Sequence, residues 1–121
     1  TERRIVTMGF SQGGLLAGHL LRMFPDGRYA ASVCCSGWLA PGALEGDVKL
    51  AVSKPPVFYG HGAIDDIFPA AEVTAMSAFW QEHGTLSEIV YPGMAHSINM
   101  PEMRDIQRFL ETNGFIHPRI W

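Results

Sequence analysis

The stretch Gly9-Phe10-Ser11-Gln12-Gly13-Gly14 constrains this chain more than any other. It follows a short apolar run, Ile5-Val6-Thr7-Met8, and precedes Leu15-Leu16-Ala17-Gly18-His19-Leu20-Leu21. An apolar strand, a tight glycine turn with serine at its apex and then a buried helix is the setting that a G-x-S-x-G nucleophile elbow requires. Side chains at positions 9 and 13 are expected to collide with the neighbouring strand or helix. Strain in such a turn lifts the Ser11 hydroxyl clear of the backbone. It also places it at a helix N-terminus, where negative charge is favoured. The competing reading is a glycine-rich loop carrying a solvated serine, and the strand before and helix after count against it.

The rest of the chain alternates in the same way. Residues 1–8 read as a strand and 12–23 as a helix. That helix is apolar nearly all round, with only His19 and Arg22 breaking it, so it is expected to be buried on most faces, with His19 satisfied in the core or on the helix surface. Phe24-Pro25-Asp26-Gly27 is turn chemistry. The run Tyr29 to Ser36 has the pattern of a parallel strand covered on both faces. Residues 41–55, with Pro41, Gly42, Gly46 and Pro55, read as a surface loop. A third strand, Pro56 to Tyr59, ends in Gly60-His61-Gly62, and Pro69 opens a helix over about residues 70–83. Its stripe of Val73, Met76 and Trp80, with Phe79 beside them, is core packing. A fourth strand covers 86–91. Asn99 and Glu102 resemble a capping box for a last helix, which carries Met103, Ile106, Phe109 and Leu110 on its apolar side and Gly114 as its C-cap. The tail from Phe115 to Trp121 is too apolar to be a free linker. The pattern is α/β: a three-layer arrangement with a mostly parallel sheet of about four strands and flanking helices, in one domain spanning residues 1–121.

Composition narrows the classes of function. The 121 residues are 47% hydrophobic with a net charge of −3, which leaves no nucleic-acid footprint. No apolar run is long enough to span a bilayer, so no transmembrane segment is expected. No signal peptide is visible. The chain opens on Thr1 rather than Met, which points to a start inside a longer gene product. Cys34 and Cys35 are adjacent, with no third cysteine, so two reduced buried thiols and a cytoplasmic setting are expected. No His, Cys, Asp or Glu set has metal-ligand spacing, so neither metal nor cofactor is expected.

Ligand and catalytic sites of open parallel sheets form beyond the carboxyl ends of the strands. Three polar clusters fall there: Ser11 after the first strand, Asp65 and Asp66 after the third, His96 after the fourth. A serine hydroxyl needs a base to take its proton, and imidazole has a suitable pKa. The base needs a carboxylate to fix its tautomer. Serine, acid, histidine is also the chain order of α/β-hydrolases. His61 is a rival base, although a buried, hydrogen-bonded histidine is the usual occupant of a strand end. His83 and His117 read as surface residues.

GFSQGG, HGAIDDIFP and GMAHS, with Ser36-Gly37-Trp38-Leu39, resemble the blocks of the phospholipase/carboxylesterase (acyl-protein thioesterase-like) family of α/β-hydrolases. The resemblance runs from Met8 to about Leu110 and covers only the carboxyl-terminal half of such a protein. It implies Ser11 as nucleophile, His96 as base and Asp65, rather than Asp66, as acid. One oxyanion-hole donor would be the backbone N–H of Gln12. The second normally comes from an earlier strand, which this chain lacks. The first strand would then be an open edge, so the chain is expected to pair with a second copy or with a missing amino-terminal half. The implied activity is hydrolysis of carboxylic esters or thioesters through an acyl-enzyme. Trp38, Leu39 and Phe68 are expected to line an acyl pocket or simply to pack. The alternative function is a catalytically silent half-domain acting as a binding or assembly module.

Overall fold

The computed structural model describes residues 4–117. Eight elements follow one another: β1 (Val6–Phe10), α1 (Gln12–Met23), β2 (Ala31–Cys35), α2 (Gly46–Ser53), β3 (Pro56–Gly62), α3 (Ala70–His83), β4 (Thr85–Tyr91) and α4 (Met100–Thr112). The strands form one sheet in the order β1-β2-β3-β4, and every neighbouring pair is parallel. The alternation read from the sequence is therefore the architecture observed.

Side chains leave a strand alternately to its two faces, which splits the core in two. Cys34, Val57 and Tyr59 meet Leu21 of α1, Leu50 of α2 and Met76 and Trp80 of α3 on one face. Ala31, Val33, Cys35 and Phe58 meet Ile106 and Phe109 of α4 on the other. β2 is buried along its whole length, as its continuous apolar run predicts. Met76 and Trp80 are the buried part of the α3 stripe, with Val73 and Phe79 packed beside them. Gly114, at φ +74°, ends α4. The Phe115 N–H reaches the Leu110 carbonyl at 2.8 Å and the Gly114 N–H that of Glu111 at 3.0 Å, the paired bonds of a glycine-closed helix end. Phe115 packs under this end, and Arg4 lies over its ring. The remainder of the tail, 118–121, and the first three residues lie outside the described part.

Several local expectations are corrected. β1 begins at Val6 and runs through Gly9 and Phe10, so the strand enters the motif itself. Residues 46–53, read as loop, are α2. Only Asp47 and Leu50 of this helix are buried, while Val48 and Val52 face solvent. It has no apolar stripe to betray it. α1 is not buried on most faces, since Leu16 and Met23 are half exposed. Its inward face is made narrow by Gly14, Ala17 and Gly18, which let it sit close to the sheet. Arg22, read as an interruption, is buried instead. It donates from Nε and Nη2 to Asp47 at 2.8 and 2.9 Å, and to the carbonyls of Ala40 and Gly42. Hydrogen bonding to Arg22 holds the Asp47 carboxyl below its usual range. His19 is not satisfied, because its Nδ1 is buried without a partner. His83 is half-buried rather than on the open surface, stacked on Phe79 and bonded to that residue's carbonyl. His117 is exposed as expected.

The capping box of α4 is half formed. Asn99 Oδ1 accepts from the Glu102 N–H at 2.9 Å. The Glu102 side chain does not return the bond. It turns into the core under the carboxyl ends of β2 and β3, fully buried, while Met103 is half exposed. A Cβ at Gly60 would fall on the Glu102 carboxyl, so a side chain at position 60 requires Glu102 to move. Burial raises the Glu102 pKa to about 7. Desolvation, with Glu102 alongside, pushes Cys35 up to about 12, and desolvation pushes Cys34 up to about 11. Both thiols are free, buried and protonated.

Candidate active site

Ser11 lies between β1 and α1 with φ 58° and ψ −119°, a backbone conformation that L side chains seldom adopt. Such residues persist only where their surroundings over-determine them, at a cost on the order of 1–3 kcal/mol. Here the Ser11 N–H donates to the Cys35 carbonyl at 2.8 Å, and its carbonyl accepts from Gly14 and Leu15. A Cβ at Gly9 would strike the Gly13 carbonyl, as expected for the tight turn. Position 13 is different, because a Cβ there would meet nothing within 4 Å. The close approach is made by the backbone of Gly13, not by the space beside its Cα.

The loops after β1, β3 and β4 bring three side chains together. Ser11 Oγ lies 2.9 Å from His96 Nε2, and His96 Nδ1 lies 2.8 Å from Asp65 Oδ2. A carboxylate only accepts, so His96 donates from Nδ1, and its Nε2 is left to accept from the serine hydroxyl. The other Asp65 oxygen accepts from the Ile67 N–H at 3.0 Å. The Asp65 side chain is 8% exposed and that of His96 19%. Phe10 and Phe68 flank the imidazole, with ring centroids at 4.9 and 5.3 Å. Asp66, one residue from the acid, is exposed and makes no part of this line. His61 bonds Glu88 instead of Ser11, as a buried histidine at a strand end would.

Gln12 is the first residue of α1, so its N–H has no acceptor within the helix and is available at the Ser11 turn. Trp38 and Phe68 pack ring on ring at 4.3 Å. Together with Leu39 and Pro41 they line a cleft of about 570 Å³, and Phe68 connects it to His96. Leu39 also packs against the core, so it serves both readings. Sequence reasoning missed Ser36, a non-glycine residue at φ 52° whose hydroxyl reaches the Ser97 carbonyl at 3.4 Å. It also missed Glu88, which sits in a strand with no motif around it. Among the described residues no cluster has the composition of a metal site, and no helix is long and apolar enough to cross a membrane.

The parallel sheet with its flanking helices is that of an α/β-hydrolase, of which this chain corresponds to about half. Solved structures agree: Arabidopsis thaliana SOBER1 superposes with a TM-score of 0.72 at 24% identity, over 88% of this chain and 51% of that one. The Bacillus cereus carboxylesterase gives 0.75 at 17% identity, over 89% and 49%. The phospholipase/carboxylesterase family model matches residues 1–114, and the chain belongs to that family. Acyl-protein thioesterase 1 of Saccharomyces cerevisiae is 32% identical over 114 residues, which is 89% of this chain and 49% of the yeast protein. Carboxylesterase SOBER1 of Arabidopsis thaliana is 28% identical over 105 residues. The chain spans about half the length of the curated relatives it matches.

Proposed function

We propose that this chain carries the nucleophile, base and acid of a serine hydrolase that cleaves carboxylic esters or thioesters. The observation that carries the reading is the single line of hydrogen bonds from Ser11 through His96 to Asp65. Ser11 Oγ attacks the carbonyl carbon while its proton passes to His96 Nε2. The tetrahedral oxyanion takes a hydrogen bond from the Gln12 N–H. His96 then gives the proton to the leaving alcohol or thiol, which leaves an acyl group on Ser11. Water, deprotonated by His96, attacks that ester; the acyl group leaves as the carboxylic acid, and His96 returns the proton to Ser11 Oγ. Asp65 holds the imidazole in the required tautomer and stabilises the imidazolium. The apolar cleft of Trp38, Leu39 and Phe68 is suited to the acyl part of the substrate. Relatives named thioesterase and carboxylesterase are in keeping with this chemistry.

Residues 1–121 fall within one hydrolase domain in this reading, of which they span about half by comparison with the relatives. A second oxyanion donor, and cover for β1 at the sheet's edge, come from protein outside this stretch or from a second copy. The free thiols fit a cytoplasmic setting. The span of half the relatives' length favours one other reading, a silent half-domain that acts in binding or assembly. A fluorophosphonate probe separates the two. Covalent labelling of the wild type but not of Ser11→Ala supports the hydrolase. A folded wild type that takes no label overturns it. Sedimentation of the same sample tests the edge, and a stable monomer would count against a second copy.

A further inference from the structure

His61, Glu88 and Ser77 form a hydrogen-bonded chain that the chemistry above does not use. His61 Nε2 lies 2.7 Å from Glu88 Oε2, and Ser77 Oγ donates to Oε1 of the same carboxylate at 2.5 Å. The three side chains come from β3, β4 and α3. His61 is 7% exposed, its ring lies 4.7 Å from that of Tyr59, and the Tyr59 hydroxyl donates to the Gly37 carbonyl at 3.2 Å. The bond at Nε2 and the Tyr59 ring hold the imidazole in place and leave Nδ1 without a protein partner among the described residues.

The tautomer of His61 follows from its partner. Glu88 accepts from Ser77 and, as a carboxylate, can only accept from His61, so Nε2 is the donor. In the neutral ring Nδ1 is then an acceptor. Beside the ring lies a cavity of about 20 Å³, lined by His61, Tyr59, Ser36, Phe68 and Asp65 among others. That volume accommodates one water. Asp65 already accepts from His96 and from the Ile67 N–H, yet a carboxylate has about four acceptor positions. A water in this cavity has two protons to give, and His61 and Asp65, which both line it, each carry an acceptor.

We propose that His61, held by Glu88 and Ser77, is a positioning residue for Asp65. It acts through a single water in the shared cavity to fix the carboxylate that holds His96. The proposal rests on the roles given above to Ser11, His96 and Asp65. The titratable groups that face His61 are Glu88 from β4, Tyr59 from its own strand and Asp65 from the loop. α3 contributes only the uncharged Ser77. Charge on Glu88 and Asp65 helps to keep the Tyr59 phenol protonated well above its ordinary range, after the larger effect of burial.

The test compares His61→Gln and Glu88→Gln in the wild type and in an Asp65→Asn background. His61→Gln is expected to lower kcat on the order of tenfold with KM unchanged, and to cost nothing further once Asp65 is Asn. Equal losses in both backgrounds would mean a merely structural role and overturn the proposal. A second readout does not need turnover: the proton shared by His96 and Asp65 should give a low-field NMR resonance that shifts in His61→Gln. Glu88→Gln keeps the shape of the site if His61→Gln fails to fold, and should shift the resonance in the same direction. An unmoved resonance in a folded variant refutes the positioning role. A wild type with the resonance but no reaction with the probe refutes the hydrolase reading alone.

Discussion

Replacing Glu102 with Gln should remove a pH-dependent loss of stability. The Glu102 side chain is fully buried, and both of its oxygens lack a hydrogen-bond partner. Its pKa is raised from an ordinary 4.5 to about 7, chiefly by desolvation, against a smaller lowering by the thiol of Cys35 and with a lesser raising by the charge of Asp105. Between those two pH values the folded chain holds a proton that the unfolded chain has released. Stability therefore falls with rising pH across this window, being fully present below about 4.5 and lost above about 7. At 1.36 kcal/mol per pH unit the loss approaches about 3 kcal/mol. A glutamine has nearly the shape of the protonated acid and does not titrate. Urea unfolding of both proteins at pH 5 and pH 8.5 gives the measurement. The two should be similarly stable at pH 5, and the variant should lead by about 3 kcal/mol at pH 8.5. Because other titrating groups are common to both, the difference isolates position 102. Parallel stabilities across the window would refute the reasoning and mean that the carboxyl finds solvation in the folded state.

Two further substitutions test the packing. Asp47→Ala leaves the buried guanidinium of Arg22 without its anion and should destabilise by about 3–5 kcal/mol in chemical denaturation. A loss under 1 kcal/mol would show that the carbonyls of Ala40 and Gly42 suffice. Gly9→Ala should unfold the chain or cost more than about 4 kcal/mol, since the added carbon meets backbone. Gly13→Ala should be neutral or gain up to about 1 kcal/mol from helix propensity, and a large loss there would refute the open space assigned to it.

What was legible in the sequence was whatever repeats a local rule. The parallel strands showed as apolar runs, α3 as a spaced stripe and α4 as a cap followed by a stripe. Ser11, Asp65 and His96 stood out as candidates because each sits just past a strand within a short motif, and the fold brings their side chains together. Residues whose meaning depends on a partner far along the chain were not. Arg22 looked like a flaw in an apolar helix until Asp47, on a helix with no stripe of its own, came beneath it. Glu102 satisfied the capping pattern, yet its side chain answers to Gly60 on another element. Gly13 fitted the motif, but the collision expected there belongs to Gly9. Phe68 and Trp38 carried no signal of their own for contact, and it is the fold that stacks them.

Ser11 and His96 are 85 residues apart in sequence and 2.9 Å apart in space, and loops alone would hold such a contact poorly. The parallel ladder does not stop where the strands stop. Past β1 the Ser11 N–H bonds the last carbonyl of β2, that of Cys35; past β2 the Ser36 N–H bonds Gly60 of β3; past β3 the Ala63 N–H bonds Tyr91 of β4. Each loop is thus tied to the end of the next strand before it turns away. Ile64 adds a bond to the Met94 carbonyl in the loop that bears His96. The unusual backbone angles of Ser11 and Ser36 fall on two of these ties, where the chain must leave the sheet and still donate to it. Local strain of this kind is stable only against a rigid neighbour, and the fully buried β2 is that neighbour. The position of the serine hydroxyl beside His96 is therefore set by the sheet itself, one strand at a time, and under the proposed function this preorganises the nucleophile.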